Sequence, residues 1–311
     1  MSIALLTSNE NTKKWKTILE TILEQTIHTE ITSDNQKTIK HAIVSAPPKG
    51  MLQKLSNLSA IHSLWAGVEH ITSDPEYPKD IPIIRMVDHG LTQGMQEYVT
   101  ANIFKYHLNF DHYTRDQKTK LWAPQTPPLA QSRTVGFLGL GELGRETALY
   151  VRKLGFNVCG WSRSKKEIEG VSCFHGETQF KDFLSKCEIL VNLLPHTPAT
   201  TELLTQQTLQ LLPKGACLIN PGRGTIFNDE DLLQMLERDH IRHVTLDVFW
   251  QEPLPQDHPF WSHPKIDITP HIASVTRTET GAQTVKQNIT FIENGGDIQT
   301  IRGVMNPTLN Y

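Results

Sequence analysis

Three short segments each carry one residue able to bind or move charge. Asn220-Pro221-Gly222-Arg223-Gly224 presents a guanidinium. Asp247-Val248-Phe249-Trp250-Gln251-Glu252-Pro253-Leu254 presents a carboxylate, and Thr269-Pro270-His271-Ile272-Ala273 an imidazole. A guanidinium is a permanent cation whose fork of N–H donors matches a carboxylate. An imidazole exchanges a proton near neutrality, and a carboxylate close by favours its protonated form. Taken singly, each residue has a commoner explanation: a surface ion pair, a solvent-facing acid before proline, a packed histidine. Each segment, however, leaves a β-type run and ends in a turn. In an open α/β sheet such turns line the ligand crevice, so Arg223, Glu252 and His271 are expected to meet at one site.

A fourth segment indicates what else binds there. Thr134–Leu138 reads as a strand and is followed by Gly139-Leu140-Gly141-Glu142-Leu143-Gly144 and then a helical pattern. A bare GxGxxG is weak, but between a strand and a helix it is the dinucleotide-binding turn. Gly139 permits the tight turn, Gly141 lets the backbone approach a pyrophosphate, and Gly144 lets the helix pack on the sheet. The N–H groups of Leu140, Glu142 and Leu143 lie around that helix start, where the helix dipole favours an anion. An NAD site usually adds an acid about 20 residues on, to accept from the ribose 2′-hydroxyl. Here the run from Val158 through Trp161, Ser162, Arg163 and Ser164 to Lys166 holds no acid. Cationic and hydroxyl donors suit a 2′-phosphate, so NADP(H) is expected, with NAD(H) the weaker alternative.

The elements that must carry these residues alternate between β-type runs and helical patterns, which points to α/β architecture. Strands are expected at Ile3–Leu6, Ala42–Ala46, Ala60–Trp65 and Ile81–Val87, with a helix carrying Trp15, Ile18, Leu19, Ile22 and Leu23. A long helix is expected over Leu91–Tyr113, with Met95, Tyr98 and Val99 on its apolar face, and then an extended connection Lys120–Arg133. Six further strands are expected at Thr134–Leu138, Phe156–Trp161, Ile189–Leu193, Ala216–Asn220, His243–Val248 and Ile266–Thr269. Six is the strand number of a Rossmann-type doubly wound parallel sheet. A last helix, Thr276–Asn294, and the tail Asp297–Tyr311 are expected to pack back on the first domain. The division is then 1–97 plus 280–311, a smaller flavodoxin-like α/β substrate domain, and 98–279, the dinucleotide-binding domain.

Composition removes several other functions. A chain of 311 residues, 38% hydrophobic and 20% charged, can build packed domains. A net charge of −3 lacks the basic excess of a nucleic-acid binder. No apolar run reaches the ~18 residues of a membrane helix, and Met1–Glu10 lacks the basic and apolar regions of an export signal. With Cys159, Cys173, Cys187 and Cys217 far apart, no disulfide framework or CxxC site is expected, and the location expected is cytoplasmic. His258, His263 and His271 fit no metal-ligand spacing, so no metal is expected. No GxSxG elbow occurs, and Cys217 lies inside a β-type run.

With these motifs in this order, the chain resembles the D-isomer-specific 2-hydroxyacid dehydrogenases over nearly its whole length. Within that family it is similar to the glyoxylate/hydroxypyruvate reductase branch, through Leu64-Trp65-Ala66-Gly67-Val68-Glu69-His70, Met95-Gln96-Glu97-Tyr98, Cys159-Gly160-Trp161-Ser162-Arg163 and Asn192-Leu193-Leu194-Pro195-His196-Thr197-Pro198. The resemblance implies NADPH-dependent reduction of a small 2-oxo acid, glyoxylate or hydroxypyruvate, to the D-2-hydroxy acid. It implies that Arg223 grips the carboxylate or carbonyl, that His271 is the general acid, and that Glu252 holds the other ring nitrogen. It implies that the Trp65, Ala66, Gly67 and Val68 loop binds substrate together with Arg223 and His271. Leu194, Pro195, Thr200, Pro221, Gly222, Asp247 and Ala273 join the cofactor contacts on the same ground. It also implies a homodimer, with Leu91–Tyr113 and Lys120–Arg133 as candidate contacts. Two departures stand out: Trp65 and Glu69 replace the outer residues of the usual Gly-Ala-Gly-Val-Asp loop, and Pro221-Gly222 stands where Leu-Ala is common. The alternatives are a dehydrogenase for a phenylpyruvate-type acid and a non-catalytic nucleotide sensor of the same fold. A formate dehydrogenase is disfavoured, because that branch has Gln where Glu252 stands.

Overall fold

The structure is a computed structural model that describes residues 2–7 and 11–305. The chain divides into two compact units, Met1–Leu91 with Val275–Tyr311, and Thr92–Ser274. The first opens with β1 (Ser2–Thr7), α1 (Thr12–Leu23), β2 (Ile27–His28), β3 (Ile39–Ser45), β4 (Ala60–Ser63), α2 (Glu69–Thr72) and β5 (Ile83–Ile84). The five strands form one parallel sheet in the order β2-β1-β3-β4-β5. This is the flavodoxin-like order. Helix α3 (His89–His107) then leads into the second unit. Its Leu91 packs in the first unit's core and its Met95 in the second's.

The second unit continues with α4 (Phe110–Thr119), β6 (Thr134–Leu138), α5 (Glu142–Lys153), β7 (Asn157–Ser162), β8 (Ser172–His175), α6 (Phe180–Leu184), β9 (Ile189–Asn192), α7 (Gln206–Leu209), β10 (Ala216–Asn220), α8 (Asp229–Glu237), β11 (Ile241–Leu246) and β12 (Ile266–Ile268). All seven strands run parallel in the order β12-β11-β10-β9-β6-β7-β8. The order reverses between β9 and β6, where open α/β sheets bind ligands. The chain returns to the first unit as α9 (Thr278–Glu293).

Strand alternation explains the cores. In β1, Ile3 and Leu5 face one side with Trp15 and Leu19 of α1 and Ala282, Val285 and Ile289 of α9. Ala4 and Leu6 face the other with Leu52, Leu55 and Ile71. In the second unit Val135 and Phe137 meet Met95, Val99 and Ile103 of α3, while Leu138 and Leu218 meet Leu232 and Leu236 of α8. Both sheets are thus covered on both faces, which is why their strands read as apolar runs.

Several elements differ from the sequence expectation. The expected long helix is two, broken at Asn109, whose φ is 59°. Asn tolerates this left-handed conformation, and here Gln125 and Arg242 hold its side chain. The sheet gains a seventh strand, β8, a partly exposed edge strand without an apolar run. The units divide after Leu91 and after Ser274, a few residues before the expected 97/98 and 279/280, which fall inside α3 and α9. The tail joins the first unit through the Ile84–Val304 bridge and buried Met305; its last residues, 306–311, lie outside the described residues.

One buried polar pair ties β3 to β4. His41 Nδ1 and His62 Nε2 are 3.2 Å apart, and His41 Nε2 is 3.1 Å from Glu293 Oε1 on α9. Burial, aided by the His41 charge, pushes His62 down to about 3. Above pH about 6.5 this histidine is neutral folded or unfolded and adds no pH dependence. Below that, the unfolded chain binds a proton that the folded chain refuses, so stability falls by up to about 1.4 kcal/mol per pH unit. We expect Tm to fall between pH 6.5 and 4.5, and to fall less in His62→Asn. Parallel Tm profiles for the two proteins would show that His62 is not the group responsible.

Candidate active site

At the β6–α5 turn, Gly139 has a φ of 98°, a backbone that side chains rarely adopt. A Cβ on Gly144 would lie 1.9 Å from the Gly139 carbonyl oxygen, so only glycine lets α5 sit this close to the turn. Gly141, between them, has open space where a Cβ would stand. Helix α5 buries Gly144, Thr147, Ala148 and Val151, with Glu142 in its first turn and Arg152 and Lys153 in its last, matching the helix dipole. The next strand, β7, delivers Trp161, half-buried, whose indole donates to the Gly176 carbonyl. Ser162 is buried and its hydroxyl donates to the Ser164 carbonyl, closing the loop on which Arg163 is exposed. These features fit a phosphate-bearing dinucleotide: an uncluttered glycine at a helix start and a cation beyond the second strand.

Two buried asparagines join the tips of β9 and β10. Asn192 Nδ2 donates to Asn220 Oδ1 at 2.8 Å, and that oxygen also accepts from the Gly222 N–H. Asn192 Oδ1 accepts from the Leu194 N–H, and Asn220 Nδ2 donates to the Arg223 carbonyl. The amides therefore define both the turn carrying Leu194 and Pro195 and the turn carrying Pro221, Gly222 and Arg223. A Cβ on Gly222 would lie 2.8 Å from Asn192, and one on Gly224 2.0 Å from Phe249, so the arginine is flanked by positions with no room for a side chain. Arg223 Nη1 donates to the Gly222 carbonyl at 2.7 Å. Thr200 folds the loop after β9, donating its hydroxyl to the Pro195 carbonyl.

The third strand tip organises the histidine. Asp247, just beyond β11, has no exposed surface. Its Oδ1 accepts from the Thr269 hydroxyl and the Ile272 N–H, its Oδ2 from the Ala273 N–H, and its carbonyl from the His271 N–H. His271 itself has a φ of 53°. That backbone costs roughly 1–2 kcal/mol for a residue with a Cβ, whereas hydrogen bonds to a charged acceptor contribute about 1.5–3 kcal/mol each, so the carboxylate prevails. His271 Nδ1 lies 2.6 Å from Glu252 Oε2, and Glu252 Oε1 accepts from the Phe249 N–H. The Glu252 hydrogen bond lifts the imidazole above its usual range; burial opposes this, the charges of Glu252 and Asp247 assist, and that of Arg223 opposes. Glu252 is pulled up by burial, but the His271 and Phe249 hydrogen bonds and the charges of His271 and Arg223 bring it below its usual value. With Nδ1 on the carboxylate, Nε2 is the nitrogen left to move a proton.

Arg223, Glu252 and His271 thus stand at the C-terminal ends of parallel strands of one sheet, close enough for each charge to act on the others. Trp65, Ala66, Gly67 and Val68 follow β4 in the first unit. There Ser63 Oγ donates to the Trp65 carbonyl, and the Trp65 ring lies 4.4 Å from that of His70, edge to face. Asn192 and Asn220, which are not among the expected site residues, each end an apolar strand, a pattern that the sequence alone does not pair. The carboxylate of Asp247, a residue expected among the cofactor contacts, bonds to the 269–273 loop. Among the described residues no group of three or more His, Cys, Asp or Glu is placed to hold a metal ion, and no helix is long and apolar enough to cross a membrane.

Known proteins resemble this chain in sequence and fold. Residues 100–273 match the model of the D-isomer specific 2-hydroxyacid dehydrogenase, NAD binding domain. The chain is 39% identical over 306 residues to the glyoxylate/hydroxypyruvate reductase A of Serratia proteamaculans (strain 568), covering 97% of each chain. It superposes with a TM-score of 0.93 and 33% identity on a D-isomer specific 2-hydroxyacid dehydrogenase from Xanthobacter autotrophicus Py2 in complex with NADPH and MES, covering 100% of this chain and 99% of that one. An NADPH-dependent glyoxylate/hydroxypyruvate reductase from Sinorhizobium meliloti, in complex with NADP and sulfate, gives a TM-score of 0.90 at 27% identity over the whole of both chains. On this evidence the chain belongs to the D-isomer specific 2-hydroxyacid dehydrogenase family.

Proposed function

We propose that this protein reduces a small 2-oxo acid, glyoxylate or hydroxypyruvate, to the D-2-hydroxy acid with NADPH. The observation that carries this reading is the 2.6 Å His271–Glu252 pair, lifted toward its protonated form beside Arg223 on the sheet that holds the glycine turn. The relatives' names and the nucleotides in their structures support the substrate and cofactor classes. Gly139 to Gly144 would hold the pyrophosphate and Arg163 the 2′-phosphate, with the loops at Leu194–Pro195 and Pro221–Gly222 beside the nucleotide. Asp247 serves as the brace of the histidine loop, and Ala273 as one of its anchors.

When bound, NADPH supplies a hydride to the carbonyl carbon. Arg223 binds the substrate carboxylate and draws charge toward the carbonyl oxygen, a charge-assisted interaction that strengthens as that oxygen becomes negative. His271 gives its Nε2 proton to the oxygen, the C=O bond becomes C–OH, and the neutral ring keeps its Nδ1–H on Glu252. The loop Trp65–Val68 belongs to this proposal as a substrate-binding element. The protein acts as a homodimer in this reading. The segment Lys120–Arg133 supplies surface for it: Trp122 is 93% exposed and Leu129 70% exposed. Such a run of apolar side chains suits burial against another chain.

His271→Ala should lower kcat by roughly 10²–10⁴-fold while NADPH still binds. Arg223→Ala should raise the substrate KM and also lower kcat, because it removes both binding and polarisation. Near-normal steady-state kinetics in either variant would remove that residue from its role. Arg163→Asp should shift the NADPH-over-NADH preference toward NADH by roughly 10–100-fold, the worth of one charge-assisted contact. An unchanged ratio would place the 2′-phosphate elsewhere. Light scattering at micromolar protein should give twice the 35.2 kDa chain mass, and Trp122→Asp should move it toward one. A wild-type mass of one chain would overturn the dimer.

A further inference from the structure

Helix α3 turns a row of hydroxyl and amide groups toward β11 and β12 that the reaction above does not use. Tyr106 Oη and Thr245 Oγ1 are 2.5 Å apart, and the Thr245 hydroxyl donates to Asn102 Oδ1. One turn nearer the strand tips, Tyr98 Oη lies 2.7 Å from Thr269 Oγ1, and Thr269 Oγ1 lies 2.5 Å from Asp247 Oδ1. The protons in this second chain have one arrangement. A carboxylate that already accepts two backbone N–H groups is an acceptor for Thr269 as well. The Thr269 hydroxyl therefore donates to Asp247, and its oxygen must accept from the Tyr98 O–H. Burial first, and the charges of Asp247 and Asp267 next, hold the Tyr98 phenol well above its usual range against the opposing Thr269 hydrogen bond, so it remains a donor at working pH.

We propose that Tyr98 and Thr269 are positioning residues for His271, acting through Asp247. The proposal rests on the reading of His271 as proton donor. The Asp247 carboxylate is what holds the His271 loop in its left-handed turn, and Thr269 supplies one of its three donors. Without that hydroxyl, Oδ1 keeps only the Ile272 N–H in a site with no exposed surface. The carboxylate then reorients or admits water, and the anchors at Ile272 and Ala273 loosen. His271 drifts from Glu252 and loses the contact that most favours its charged form. The groups acting on its titration are Glu252 from the loop after β11, Asp247 at the tip of that strand, and Arg223 from the turn after β10. Tyr98 touches none of the reacting atoms and acts one step further out.

The test is the NMR titration of His271 in the full-length, cofactor-free protein, its signal identified by its loss in His271→Gln. Tyr98→Phe, Thr269→Val and Thr269→Ser are compared with wild type, with kcat and KM for glyoxylate measured in parallel. In Tyr98→Phe and Thr269→Val we expect the His271 midpoint to fall by roughly half a pH unit or more. We expect kcat to fall about tenfold in both while KM changes less than about threefold, because binding by Arg223 is untouched. Thr269→Ser, which keeps the hydroxyl, should match wild type. Unchanged midpoints in Tyr98→Phe and Thr269→Val, or a Thr269→Ser protein that moves as far as Thr269→Val, would overturn the proposal. If His271→Gln keeps wild-type turnover, the proton-donor reading fails instead, while the titration still reports whether Tyr98 and Thr269 position the ring.

Discussion

The carboxylate of Asp247 has no exposed surface and accepts three hydrogen bonds, from Thr269, Ile272 and Ala273. Burying such a charge is unfavourable unless it is fully hydrogen-bonded, and here every donor comes from the single loop that carries His271. The interaction offsets the cost of the 53° φ at His271 and aims the ring so that one nitrogen meets Glu252. The acid–base chemistry proposed for this protein depends on that loop staying in place. A histidine free to rotate would lose the carboxylate that favours its protonated form.

The same principle recurs at the neighbouring strand tips. Asn192 and Asn220 end β9 and β10, and their paired amides fix the backbone from which Arg223 extends. Parallel sheet order brings this about. Because β9, β10, β11 and β12 lie side by side, residues far apart in sequence, such as Asn192 and Asn220 at a separation of 28, become neighbours at one edge. The glycine turn after β6 adjoins them across the reversal of strand order. His271, Arg223 and the glycine turn thus all rest on the ends of rigid elements, where small errors of position are resisted by packing.

Much of this was legible in the sequence. The parallel strands sit between two covered faces, so they print as apolar runs, and all six expected second-unit strands are present. The misses have local physical reasons. β2 has two residues and β8 is a partly exposed edge, so neither shows a run. The break at Asn109 is set by Gln125 and Arg242, partners that only the folded chain supplies. At the site, the glycine turn and the three charged residues could be read because their chemistry is unusual in such turns. Thr269, Tyr98, Asn192 and Asn220 could not, because each is an ordinary strand-end or helix residue until the sheet order supplies its partner. Ser162 is a further case: its hydroxyl donates to the carbonyl two residues on, a contact within its own loop that no sequence pattern announces.

The proposed reduction is tested most simply by following absorbance at 340 nm with purified protein, comparing NADPH with NADH against glyoxylate, hydroxypyruvate, pyruvate and phenylpyruvate. The expected result is fast NADPH oxidation with glyoxylate and hydroxypyruvate, slower oxidation with NADH, and weak use of phenylpyruvate. Silence across the panel from protein that binds NADPH would contradict it, and would point to a nucleotide-sensing role built on the same fold.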